Sequence, residues 1–201
     1  WALAVVGLIV LSAGVPARAL VVAPPPGPMR AGQADVIVVG RVVAHEERDV
    51  MAAPFPGSKD KTPYRIAVVT VVDNLRGAKD QKTVRVGFPA PQNANVNPNN
   101  PNIIIRPGIG RRGPTLEVGQ DGLFFLTKHI EGNFLTAPMF YDVVARNAPN
   151  FEKEVADIRR ACQLLDDPIK GLKAEKQDDR FLTATLLTNQ YRRNTSPNPK
   201  T

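Results

Sequence analysis

His45, Glu46, Glu47 and Asp49 stand within five residues of one another, and an imidazole nitrogen beside carboxylate oxygens is a set that can hold a divalent cation or move a proton. The chain has one other histidine, His129, and neither sits in a His-x-His or Cys-x-x-Cys spacing, so a zinc ion would have to recruit two carboxylates. An exposed polar loop is the simpler reading. The expectation is therefore no metal and no cofactor, with His45, Glu46 and Asp49 as the candidates should a metal bind.

The other chemistry-bearing residues point the same way. The stretch 108–113, GIGRRG, satisfies the G-x-G-x-x-G spacing that sets a pyrophosphate on a helix N-terminus, but Pro114 and a strand pattern follow it, so a nucleotide is not expected. Its arginines read as a solvated loop able to meet an anion. Ser58 and Ser196, the serines beyond the apolar start of the chain, lie in flexible surroundings without a nucleophile elbow. Cys162 falls on the apolar side of a helical pattern and reads as a buried structural thiol. Asp166-Asp167 and Asp178-Asp179 are adjacent pairs whose carboxylates diverge, so helix capping explains them better than shared acid–base work.

The elements that would position these residues follow an apolar start. Residues 2–15, ALAVVGLIVLSAGV, carry no charge and precede Pro16-Ala17-Arg18-Ala19, a small-x-small pattern, so 1–19 reads as a signal peptide cleaved after Ala19. About 15 apolar residues fall short of the roughly 20 that span hydrocarbon. The sequence opens on Trp1 without the basic leader of a signal peptide, so an uncleaved anchor is the alternative. No Cys follows Ala19, so no lipid tether is expected. The expected product is secreted, periplasmic or extracellular, with no membrane span. One cysteine permits no internal disulfide, which leaves stability to burial. The 26 Lys and Arg against 19 Asp and Glu give a formal charge of +7 that no segment concentrates, so nucleic acid is not an expected partner.

Residues 20–33 include APPPGP and read as a proline-rich linker. From there DVIVVGRVVA (35–44), with Gly40 at a bulge, YRIAVVTVVD (64–73), KTVRVGF (82–88) and LFFLT (123–127) read as strands. Loops are expected over 46–63 and 89–102, a turn over 73–77, and a short edge strand over 103–105. Short strands over 133–136 and 141–145 complete a barrel region of 34–148. After Pro149 the period changes: Phe151, Val155, Ile158, Cys162 and Leu165 form one helix face, capped by Asn150 and ended by Pro168. A second helix over 178–191 has Phe181, Ala184, Leu187 and Tyr191 on one face. The helical extension covers 149–193, and 194–201 reads as a disordered tail.

DVIVVGRVVA, YRIAVVTVVDNLRG, VRVGF and LEVGQDGLFFL, in this order and spacing, resemble the netrin-like and tissue-inhibitor-of-metalloproteinase-like OB-fold modules over roughly 34–145. The resemblance implies a fold that is mainly β with α: an OB-like antiparallel β-barrel, here followed by a C-terminal helical pair. The inhibitors of that family begin with a disulfide-bonded Cys that chelates the protease zinc. This chain has no such Cys, so inhibition transfers to no residue.

Together these readings give a non-enzymatic, exported binding module that contacts a protein or the cell envelope through barrel loops. The expected contact residues are Asn93, Asn95, Asn99, Asn100, Arg106, Arg111 and Arg112 in the long Asn/Pro-rich excursion, since long loops on a rigid barrel carry recognition. The competing readings are an envelope hydrolase using His45 with Glu46 and Asp49, and a purely structural cell-surface component.

Overall fold

The structure, a computed structural model, describes residues 23–90 and 113–195. Strand β1, Val36–His45, organises the barrel, because its run of β-branched residues gives it an apolar side chain on both faces. It pairs with β3, Thr62–Arg76, along one edge and with β5, Asp121–Lys128, along the other. β4, Thr83–Pro89, continues the sheet from β3, and the two-residue β6, Leu135–Thr136, links β4 to β5. The barrel therefore closes in the order β1-β3-β4-β6-β5 and back to β1. It is the expected OB-like barrel with helices after it. One pairing departs from a purely antiparallel sheet: β6 lies parallel to β4, because the chain reverses after β5 and returns alongside it. β2, Val50–Ala52, adds to one end of β3, and β7, Val143–Ala145, to β5.

Closure needs curvature, and the β1–β3 ladder supplies it with three register shifts, one of them between Val39 and Gly40. A side chain at Gly40 would meet the Thr70 carbonyl oxygen at 2.5 Å, so the strands approach there only because the residue is glycine. The curved pairing carries β3 through to Arg76. The turn expected at 73–77 falls later, with Gln81 N–H donating to the Ala78 carbonyl.

β1 and β5 separate two cores. Val36, Val38, Val42, Phe124 and Leu126 face the barrel interior with Ala67, Val69, Val84, Val86 and Phe88. Ile37, Val39, Leu123 and Phe125 face outward, and helices cover them. α2, Phe151–Asp166, buries Phe151, Val155, Ile158 and Cys162 as its period predicts. α3, Pro168–Leu172, is a short extra turn that the sequence does not announce.

Three expectations fail in this layer. Where a proline-rich linker is expected, Gly27–Gln33 forms a helix, α1. Its proline occupies the first turn, where the missing N–H has no intrahelical partner to lose. α4, Gln177–Thr195, lies with its expected inner face outward: Phe181 and Tyr191 are exposed, while Thr183 and Leu186 are fully buried. Leu186 sits over Gly32 of α1, and Thr183 sits against Gly171 of α3. The expected tail also begins inside this helix, whose backbone continues to Thr195. No helix among the described residues is long and apolar enough to cross a membrane.

Candidate binding site on the loop-covered barrel face

On the outer surface of β3, Tyr64 and Ile66 alternate with the inward Ala67 and Val69, and Gly87 of β4 lies beside Ile66. Two loops fold onto this patch. One runs from Glu46 to the start of β3 and contains β2. The other is the 129–134 connection between β5 and β6. Ala52 from the first and Phe134 from the second join Tyr64 and Ile66 in a small core of their own. The rings are closely set: Phe134 lies 5.3 Å from Tyr64 and stacks on His129 at 4.5 Å, while His129 meets Tyr64 edge-on at 5.1 Å.

Polar bonds tie the loops to the strands and to each other. Arg85 of β4 donates through Nε and Nη2 to the two carboxylate oxygens of Glu46, at 2.6 and 2.8 Å, and through Nη1 to the Asn133 carbonyl at 2.8 Å. One guanidinium thus holds the start of the first loop and the end of the second. Its hydrogen bonds hold the Glu46 carboxyl below the usual carboxylate range, against a desolvation that raises it. The Ala53 N–H donates to Glu131 at 3.3 Å and joins the loops directly. Within the second loop, His129 Nδ1 accepts from the backbone N–H groups of Glu131, at 3.2 Å, and Gly132, at 2.8 Å. Burial pushes the imidazole below its ordinary value, opposed by the Ala53 backbone and the Glu131 carboxylate. Burial raises the Tyr64 phenol.

Around this tied framework the loops present apolar side chains to solvent. Met51 and Phe55 stand two residues either side of Ala53 in the chain, and Ile130 precedes Glu131, so the two linked loops carry three large exposed hydrophobic residues. Such a group on a pre-formed frame is suited to holding a partner surface.

The sequence candidates fare differently. Asn93, Asn95, Asn99, Asn100, Arg106, Arg111 and Arg112 lie outside the described residues, as does the 103–105 strand. His45, Glu46 and Asp49 are described and engaged separately: His45 Nε2 is 2.8 Å from the Leu116 carbonyl, Glu46 is held by Arg85, and Asp49 pairs with Arg65 at 3.4 Å. They form no shared donor set, and no group able to hold a metal occurs among the described residues. Sequence reasoning did not single out Tyr64, Arg85, Glu131 or Phe134 for this site. The available signal was the compact HIEGNF connection, where a histidine, a glycine and an aromatic residue share six positions between two strands.

A second concavity, of about 280 Å³, lies beside α1 and β5. Arg30, 7% exposed, stacks over the Phe125 ring at 4.3 Å, donates to the Tyr141 carbonyl and pairs with Glu154. Asp142 accepts from the Met139 N–H at 2.8 Å, and burial raises its carboxyl. Arg30 joins α1 to α2 and to the segment before β7, which is a fastening role.

No protein-family model matches the chain, and no curated protein matches it.

Proposed function

We propose that this chain is a non-enzymatic binding module, exported to the cell envelope or beyond, that holds a protein partner through the loops on the β3–β4 face. The observation that carries the reading is the exposure of Met51, Phe55 and Ile130 on the two loops joined by the Ala53–Glu131 link. The strand order supports it. In OB-like barrels the second and third strands, with the loops after the first and fourth, form the usual ligand face, and here these are β3, β4, the loop from Glu46 and the loop 129–134. Arg85 and Arg65 of this face are already paired with Glu46 and Asp49, so these two guanidiniums are not offered to a polyanion. The likeness to netrin-like modules belongs to this reading, as does the excursion with Asn93 to Arg112 as a further contact segment.

Capture from envelope extract by the native sequence, by Met51→Ser/Phe55→Ser/Ile130→Ser and by a deletion of 91–101 tests it. The same protein should be recovered repeatedly with the native chain and lost with the triple variant, while Phe181→Ser, on a different surface, keeps it. Undiminished capture by a folded triple variant would show that these loops are not the contact. Loss with the deletion alone would move the contact to the excursion.

A further inference from the structure

His129 can serve as the loop's fastening only while its Nδ1 is unprotonated. Two backbone N–H groups, of Glu131 and Gly132, point at that one nitrogen, and an N–H bond there would turn the acceptor into a third donor. The other ring nitrogen, Nε2, is buried and makes no hydrogen bond; the Ala53 backbone favours the charged ring, and burial opposes it more strongly. Phe134 covers one face of the ring, and Tyr64 of β3 meets it edge-on. The titratable groups facing it are Tyr64 from β3 and Glu131 from its own loop, and the segment after β2 contributes the Ala53 backbone. Only Glu131 offers the imidazolium a counter-charge, and that carboxylate is already bonded to the Ala53 N–H.

We propose that His129 is an acid-sensitive latch: protonation at Nδ1 removes the acceptor shared by two backbone N–H groups and frees loop 129–134 together with the Glu131–Ala53 link. The contact surface is then assembled at neutral pH and dismantled in acid, so a partner held through these loops is released on acidification. That consequence for the partner rests on the binding-module reading. The latch itself is a property of the free protein.

Amide exchange and histidine ring resonances, followed by NMR on the free protein between pH 7.5 and 4.5, test it. After correction for intrinsic exchange, the Glu131 and Gly132 amides should lose protection by about tenfold or more as the His129 ring titrates, while the Val38 and Val69 amides hold. In His129→Asn the side-chain oxygen occupies the place of Nδ1 and does not titrate, so protection should persist across the range. A ring that titrates without opening the loop would overturn the proposal, and so would loop opening at the same midpoint in His129→Asn. If that variant fails to fold, the coincidence of ring titration and loop opening in the native sequence decides alone. Failure of the triple loop variant to lose a partner would refute the contact surface and leave the exchange result intact.

Discussion

Gly87 lies against the Phe134 ring so closely that a methyl group on its α-carbon would stand 2.4 Å from both Cδ2 and Cε2. The strand gives up a side chain at this one position so that an aromatic ring from another loop can lie flat on the barrel wall. That loop carries His129 and Glu131, so the fit of ring to backbone decides where both functional groups stand.

Gly87→Ala should therefore destabilise the protein by roughly 1–3 kcal/mol, the usual cost of overpacking a filled site. Urea unfolding measures it. Adding Phe134→Leu should recover part of the loss, because the smaller side chain vacates the space the methyl needs. A Gly87→Ala protein as stable as the native one would show that the loop does not rest there.

The pH dependence of stability carries a definite sign. His129 has a lower value folded than unfolded, so the unfolded chain binds the proton more readily. Its contribution is complete above the ordinary value of about 6.5 and is withdrawn as pH falls from there through the lower native value. Glu46 adds a second loss at lower pH, below the usual carboxylate value, as its bonds to Arg85 are broken. Urea midpoints should fall between pH 7 and 5 in the native sequence and fall less in His129→Asn.

Arg85→Ala removes both loop ties at once. The Arg85–Glu46 pair is partly exposed and screened, so the stability loss should be small, about 0.5–1 kcal/mol. Loop protection should suffer more than global stability. Hydrogen exchange of the 129–134 amides against thermal unfolding separates the two.

α4 offers a paired comparison. Leu186→Ala should cost about 2–5 kcal/mol, as a fully buried leucine over α1, whereas Phe181→Ala, at 74% exposure, should change stability by less than about 0.5 kcal/mol. Equal effects would contradict the orientation of the helix.

Cys162 is buried and its thiol is pushed up to about 11, first by desolvation. Near pH 8 only about one thiol in a thousand would be ionised. Alkylation by iodoacetamide should be negligible in the folded protein and rapid in 6 M guanidinium. Prompt labelling of the native protein would place the residue at the surface.

The barrel was legible because its strands satisfy two demands in one sequence. DVIVVG and LFFL are apolar at both parities, the signature of a wall buried on two sides, and the period of α2 is equally plain. α1 was hidden because prolines read as linker and a proline in a first turn is locally indistinguishable from one. The error then propagated: with α1 unseen, nothing in α4 favoured Leu186 over Phe181 as the buried residue. At the site, alternation placed Tyr64 and Ile66 on a common face, but Arg85 meets Glu46 across 39 positions and Phe134 reaches Tyr64 across the sheet. Such pairings are set by closure of the barrel, which no local pattern encodes.

The seating of Leu186 on Gly32 joins two helices that stand 154 positions apart in the sequence. Until Leu186 is available, Ile37, Val39, Leu123 and Phe125 have an incomplete cover, whatever the inner barrel has achieved. Chain closure of this span is slow relative to local helix formation, so assembly of the outer wall is the late event.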